Sequence, residues 1–428
     1  MLSAVAAQFH LFAVLRHRDF RLYWAGLLSQ VVGQQMLWFT IGWLSFHLTE
    51  SPAFVGSVTL FLGLPQLLVA LFGGVFADRL DQRRVIAGSQ AFAAVVVAGL
   101  AALTILGLVE PWHLLLAAFL TGVAQSFDQP SRQVLYPRLL PDRSLLSQAV
   151  PLNAMTWQFA RPIAPAIGGA VVAYAGAGPN QGAGPAFALS AATFLVMSAL
   201  ILRVSVAPGK VVGRASVLRN LAEGLGYVRR QPLFRIVIGM TYVSSLSGLG
   251  YIFVLPVFAG EVLETGPSGL SLLWASGGVG SFIAVLTTPA VLRRVPTGKA
   301  MALQGMLFGA SLTAFAFTSN LWAGAALQVL IGGGSLAFMM AVEVTMQTLV
   351  PDELRGRVMS LWGLSWILPT IGAAGLNFIA GIIGAPLALA LGGALVFLNA
   401  GAAWTLSARL RCLNVATQEG REAAMVAA

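Results

Sequence analysis

Asp128 and Arg161 are charged residues set deep inside apolar segments long enough to cross a bilayer, and together they are the pair of this chain best placed to do chemistry. A charge near the bilayer midplane costs about 3 kcal/mol even on the most lenient scale, so each must face protein or water. Arg161 stands 11–14 residues into its segment, which is roughly 17–21 Å of helix. Asp128 enters from the other side, about 12–15 Å from its end at the same rise per residue, so the two can meet. A carboxylate raised by burial and lowered by a cation can titrate during a cycle, which makes the pair a candidate protonation switch. The equally weighted alternative is a permanent ion pair that pins two helices. Arg132, one turn beyond Asp128, is assigned instead to a charged gate at the segment end.

The other polar groups inside apolar segments suit binding better than catalysis. Gln30, Gln34 and Trp38 lie on adjacent turns of one segment, and Asn153, Trp157 and Arg161 recur at helical spacing on another. Tyr242 and Ser245 are the corresponding candidates in the second half of the chain, with Asn377 a weaker one. These eight positions, Arg161 aside, are the candidate lining of a wet cavity, and interhelical hydrogen bonding is their competing role. Glu343 lies near the end of its segment, where a counter-ion role toward Arg355 or Arg357 outweighs proton coupling. Gly332-Gly-Gly334 lacks the Lys-Ser/Thr of a phosphate loop, and neither a His-Glu-x-x-His nor a nucleophile elbow is present. The four His residues show no metal-ligand spacing, so no metal, cofactor or enzymatic activity is expected.

The elements that must position these groups are membrane spans. The chain is 57% hydrophobic and 9% charged, against about 25% charged in soluble domains. Twelve segments reach the roughly 20 residues a bilayer requires: 23–46, 55–77, 85–107, 113–136, 147–173, 185–203, 233–259, 268–291, 299–317, 321–347, 357–383 and 386–408. All of the 25 Lys and Arg residues except Arg161 fall in alternate gaps between them or within five residues of such a gap. That is the positive-inside pattern, and it places both termini in the cytoplasm. Spread over short connections, the net charge of +10 makes no continuous patch for nucleic acid. Residues 1–22 read as a cytoplasmic leader, 23–203 as one six-helix bundle, 204–232 as a cytoplasmic linker with an amphipathic helix from Leu218 to Arg230, 233–408 as a second bundle and 409–428 as a tail. The halves echo each other: Leu140-Pro-Asp142 and Val350-Pro-Asp352 lie 210 residues apart, as do the Arg83-Arg84 and Arg293-Arg294 pairs. Paired bundles about a central site are a common transporter plan. The expected fold is an all-α polytopic membrane protein of 12 helices in two six-helix bundles.

Particular residues carry a family resemblance. Gly74-Val-Phe-Ala-Asp78-Arg79-Leu-Asp-Gln-Arg83-Arg84, Asp128-Gln-Pro-Ser-Arg132 and Ala160-Arg161-Pro-Ile-Ala-Pro-Ala-Ile-Gly168-Gly169 resemble motifs of the major facilitator superfamily. Within it, the chain is similar to the drug/proton antiporter group that includes macrolide efflux pumps and the enterobactin exporter. Asp81 stands where the loop motif has Gly, and Ala164 where the antiporter motif has Gly. The resemblance implies that Asp78 latches a cytoplasmic gate with Arg79 and Arg132 as local partners, facing Glu353, Arg355 and Arg357. It also implies export of an amphipathic small molecule in exchange for protons, from the bacterial inner membrane, by a monomer in the lipid bilayer. An importer or facilitator of a small nutrient, or a lipid-translocating protein, are the alternatives.

Overall fold

The computed structural model describes residues 12–72, 81–175, 179–206 and 217–426, and those residues are helical with short connections and no strand among them. In chain order the helices are α1 (Arg18–Thr49), α2 (Pro52–Phe72), α3 (Gln82–Ile105), α4 (Pro111–Leu135), α5 (Leu146–Tyr174) and α6 (Pro179–Leu202). There follow α7 (Val217–Arg230), α8 (Pro232–Val243), α9 (Leu255–Glu261), α10 (Pro267–Arg294), α11 (Thr297–Ala316) and α12 (Leu321–Leu349). The last are α13 (Asp352–Leu364), α14 (Leu368–Ile383), α15 (Ala385–Leu406), α16 (Ala408–Cys412) and α17 (Gln418–Val426).

Helix ends follow from local chemistry. Asp81 is the N-cap of α3, and its carboxylate accepts the backbone N–H of Arg83. Glu110 and His113 form a capping box ahead of α4, with Pro111 in the first turn, where a missing N–H costs nothing. Asn320 accepts from Trp322 and Ala323 at the start of α12. Gly384 alone turns the chain from α14 into α15 at φ 88°, a left-handed conformation that favours glycine.

Eight stretches of the described residues are long and apolar enough to cross a membrane: within α2, α3, α6, α10, α12 and α15, across α8 into the turn that follows it, and across α13 with α14. The four remaining expected spans coincide with α1, α4, α5 and α11, helices of 32, 25, 29 and 20 residues. Three of these four carry the polar groups of the candidate site, which lowers their hydropathy.

Two expected spans are interrupted. The segment 233–259 runs as α8, then a wide π turn over Ser244–Gly248 and a tight 3₁₀ turn over Leu249–Phe253, and resumes as α9. A Cβ on Gly250 would lie 2.6 Å from the Ala373 backbone N, so α14 packs directly on this irregular stretch. Irregular backbone at membrane depth persists only where protein or a wet cavity shields it. The segment 357–383 breaks between α13 and α14 just before Pro369, which cannot donate a helical hydrogen bond.

By its contacts the chain forms two compact units, one holding the residues up to Leu44 with those from Leu64 through the first half, the other holding Ser45–Gly63 with the chain beyond residue 214. Within the first unit, α3 packs along α6. Its apolar core joins Phe20, Tyr23, Leu27 and Val31 of α1 to Ile86, Leu135, Leu152 and Met197. Within the second, α10 packs along α12 and α11 along α15. Small residues permit this: a Cβ on Gly280 would lie 1.9 Å from the Val329 carbonyl oxygen, and one on Gly332 2.0 Å from that of Gly277. The glycine run at 332–334 is therefore a packing surface. Residues 45–63 join the second unit, rather than the first-half bundle expected from chain order, for the same reason. A Cβ on Gly63 would lie 2.0 Å from Thr370 Oγ1, and one on Gly56 3.0 Å from Asn377 Cβ.

Candidate functional site

The first unit contains a buried polar network on α1 and α4. Asp128 is 1% exposed, and the cation that closes on it is Arg132, whose Nε lies 2.8 Å from Asp128 Oδ2. The sequence pointed to Arg161 as that partner and to Arg132 as a gate residue. Four residues along a helix put two side chains on one face about 6 Å apart, so the closer base needs no second helix to reach the acid. Arg161 sits half-buried on α5. Gln90, buried on α3, lies close to the same carboxylate.

From Arg132 the network runs in one direction. Its Nη1 donates to Gln30 Oε1 at 2.8 Å, Gln30 Nε2 donates to Gln34 Oε1 at 2.7 Å, and Gln34 Nε2 donates to Gln125 Oε1 at 2.5 Å. Gln30 and Gln34 each spend the carbonyl on one neighbour and the amide on the next, so the chain is polarised from the guanidinium outward. Gln30 and Gln34 are 1% and 3% exposed, and here they bond to one another rather than to an open cavity. Gln125 and Gln90 are members the sequence reading missed. Gln125, Asp128 and Arg132 follow i, i+3, i+7 on α4, a spacing that would have grouped them.

Asn153 and Trp157 lie beside this network. Asn153 lies close to the buried Tyr23 hydroxyl, and Trp24 Nε1 donates to Thr156 Oγ1 at 3.0 Å, which ties α5 to α1. Trp157 packs against the apolar core of the unit. Trp38 is half-buried on α1, one turn beyond Gln34.

Of the expected gate, Gly74, Asp78 and Arg79 fall outside the described residues. Next to them, Asp81 explains its departure from the loop motif. Beyond capping α3, its carboxylate pairs with Arg83 Nη2 at 3.1 Å and lies 3.8 Å from Arg84 Nε. The Arg83 hydrogen bond holds the Asp81 carboxyl below its usual range. Arg83 also donates to the Val204 carbonyl at 2.8 Å. On the second unit, Arg355 pairs with Asp352 one turn away, and Arg357 Nε lies 3.0 Å from Glu223 Oε2 on α7. The amphipathic linker helix thus docks on α13, with Gly224 close against the Arg357 carbonyl. Glu353 is exposed in the first turn of α13. Glu343 accepts from Gln347 Nε2 at 2.9 Å, so Arg355 and Arg357, its expected counter-ions, are engaged by other acids.

The remaining candidates of the second unit surround the break after α8. Tyr242 donates to the Leu361 carbonyl at 2.8 Å, and Asn377 Nδ2 donates to Ala373 at 2.9 Å and across to Phe253 at 3.3 Å. Both are occupied in holding helices together. Ser245 is fully buried within the π turn, and its hydroxyl has no hydrogen-bond partner among the described residues. A buried pair unforeseen from sequence, Tyr251 to Gln328 Oε1 at 3.0 Å, joins the irregular stretch to α12. No cluster of His, Cys, Asp or Glu fit for a metal occurs among the described residues.

Ionisable and polar groups buried inside membrane spans mark a functional site. The fold is shared with the nucleoside transporter NupG, which superposes with a TM-score of 0.72 at 13% identity, over 91% of this chain and 100% of that one. Sequence relatives include the staphyloferrin A transporter of Staphylococcus aureus, 24% identical over 75% of this chain and 79% of its own length. The multidrug efflux pump Tap of Mycolicibacterium fortuitum is 27% identical over 70% and 74%, and the enterobactin exporter EntS of Escherichia coli 24% over 74% of each. The transmembrane secretion effector model matches residues 10–426, and the chain belongs to that family of major facilitator transporters. It is a multi-pass membrane transporter of small molecules, not an enzyme.

Proposed function

We propose that the chain is a secondary exporter of amphipathic, drug- or siderophore-like molecules, driven by proton entry and working by alternating access from the bacterial inner membrane. The observation that carries the proton half is Asp128, a carboxylate 1% exposed that is joined to one base and, through it, to a chain of neutral amides. Of the members of this network, only the carboxylate can exchange a proton, since the amides do not titrate and a guanidinium stays charged. On taking a proton, Asp128 releases Arg132 to its Gln30 contact alone, and the polarised glutamines carry that change along α1. The export half is supported by Tap and EntS, whose names describe an efflux pump and an exporter. Little fixed charge inside the spans suits a neutral or weakly charged substrate. Both termini face the cytoplasm by the positive-inside pattern.

The test uses oriented proteoliposomes loaded with a fluorescent amphipathic dye or a macrolide. Imposing the proton gradient should expel the compound from wild type, and Asp128→Asn should transport at a rate indifferent to the gradient. Gradient-dependent transport by Asp128→Asn would place the proton site elsewhere. Gradient-driven accumulation on the opposite side would favour an importer.

A further inference from the structure

Within the second unit, α8 and α15 leave an open groove of about 310 Å³ between them. Both helices fall in stretches apolar enough to cross a membrane. Its walls are Ile236, Gly239 and Met240 on one side and Ala402, Ala403 and Leu406 on the other. Asn399 closes the inner end by donating to the Met240 carbonyl at 3.3 Å, and Arg235 and Ser407 stand at the mouth. Ser407 follows Asn399 by eight positions, so the groove runs about 12 Å along the helices. Gly239 gives it depth, since a Cβ there would meet nothing within 4 Å.

The charge at the mouth is one-sided. Arg235 is exposed, and no carboxylate of the described residues lies within ion-pairing distance of it. Arg229 and Arg230 precede it at the end of α7, and Arg409 and Arg411 follow the other wall in α16. Arg411 is engaged by the Trp404 and Thr405 carbonyls and Arg409 by that of Met425, which leaves Arg235 as the groove's own base. Leu406, 84% exposed, turns its apolar surface outward beside it.

An unpaired guanidinium above an apolar trough selects an amphiphile with an anionic head and a hydrocarbon tail. In a bilayer the abundant molecule of that description is an anionic phospholipid, and basic pockets between spans are a known mode of headgroup capture. We propose that this groove binds one anionic phospholipid, its phosphate on Arg235 and an acyl chain along Gly239, Met240, Ala402 and Leu406. A zwitterionic lipid is disfavoured, because its amine brings a second positive charge into the basic mouth.

The test is native mass spectrometry of the full chain released from micelles carrying phosphatidylglycerol or phosphatidylcholine. Wild type should retain phosphatidylglycerol with about fivefold higher affinity. Arg235→Gln should lose that preference while keeping residual phosphatidylcholine binding, and Gly239→Leu should weaken both lipids by filling the trough. Unchanged phosphatidylglycerol preference in Arg235→Gln, or equal retention of both lipids by wild type, would overturn the proposal. So would displacement of the lipid by glycerol 1-phosphate at matched concentration, since the site would then take a free anion.

Discussion

Replacing Asp128 by Asn removes the negative charge beside an Arg132 that is 7% exposed and still bonded to Gln30. At 2.8 Å and an effective dielectric of about 20, the attraction between the two charges is about 6 kcal/mol. Desolvation offsets much of it, and breaking such a pair from one side costs about 3–5 kcal/mol because an uncompensated charge stays buried. Asn still offers Arg132 a carbonyl acceptor, so Asp128→Asn should fall near the lower end, about 3 kcal/mol, and Arg132→Gln should cost a similar amount. Removing both charges together leaves two amides that can hydrogen-bond, and replacement of a whole buried pair is often close to neutral, about 1 kcal/mol or less. The double variant should therefore be more stable than either single one. Unfolding of the purified protein in mixed micelles, followed by tryptophan fluorescence against a denaturing detergent, measures all four corners of the cycle. Additive losses in the double variant would refute the reasoning, because they would mean that Asp128 and Arg132 do not share their burial cost.

Two further outcomes follow from the helix ends and the packing. Asp81→Ala should cost about 0.5–1 kcal/mol at neutral pH, the low end for an N-cap because the side chain is 36% exposed. Its carboxyl is depressed in the folded state, mainly by Arg83, so the stabilisation is full above the ordinary Asp value and fades as pH falls through the lowered one. The gap between wild type and variant should close on acidification, and a gap that persists at low pH would show that charge is not what caps α3. Gly280→Ala should cost about 1–3 kcal/mol, since its Cβ would sit 1.9 Å from the Val329 carbonyl oxygen. Gly99→Ala, whose Cβ would meet nothing within 4 Å, should be neutral or stabilising by up to about 1 kcal/mol. Equal thermal stability of the two variants would contradict the α10–α12 packing.

Much of the fold was legible before any coordinates. Among the described residues, helices are found within each of the twelve expected segments, and a further helix runs over Val217–Arg230. Hydropathy could not register the breaks after Val243 and before Pro369, because it counts side chains and is indifferent to backbone hydrogen bonding. Asp128, Arg132, Gln30 and Gln34 drew notice from sequence for three different roles, and the structure links them in one ion-paired and hydrogen-bonded network. The partner of Asp128 was misassigned because a mid-membrane Arg161 drew the argument across to α5, although Arg132 lay one turn away on the same face. Gln125 and Gln90 were overlooked since a neutral amide costs little in a span and leaves no anomaly in the charge pattern.

Residue-additive properties belong to the sequence by itself. Summed hydropathy made this a multi-pass membrane protein, the spacing of Lys and Arg gives its expected orientation, and the short motifs agree with the transporter family it belongs to. Which groups meet was decided only in the tertiary structure. The register of α1 against α4 turns isolated glutamines into a chain ending on Arg132, and the glycines at 56 and 63 draw residues 45–63 onto α14. Hydrogen bonds and ion pairs act over about 3 Å, so they depend on helix approach and rotation, which no linear spacing between helices can specify.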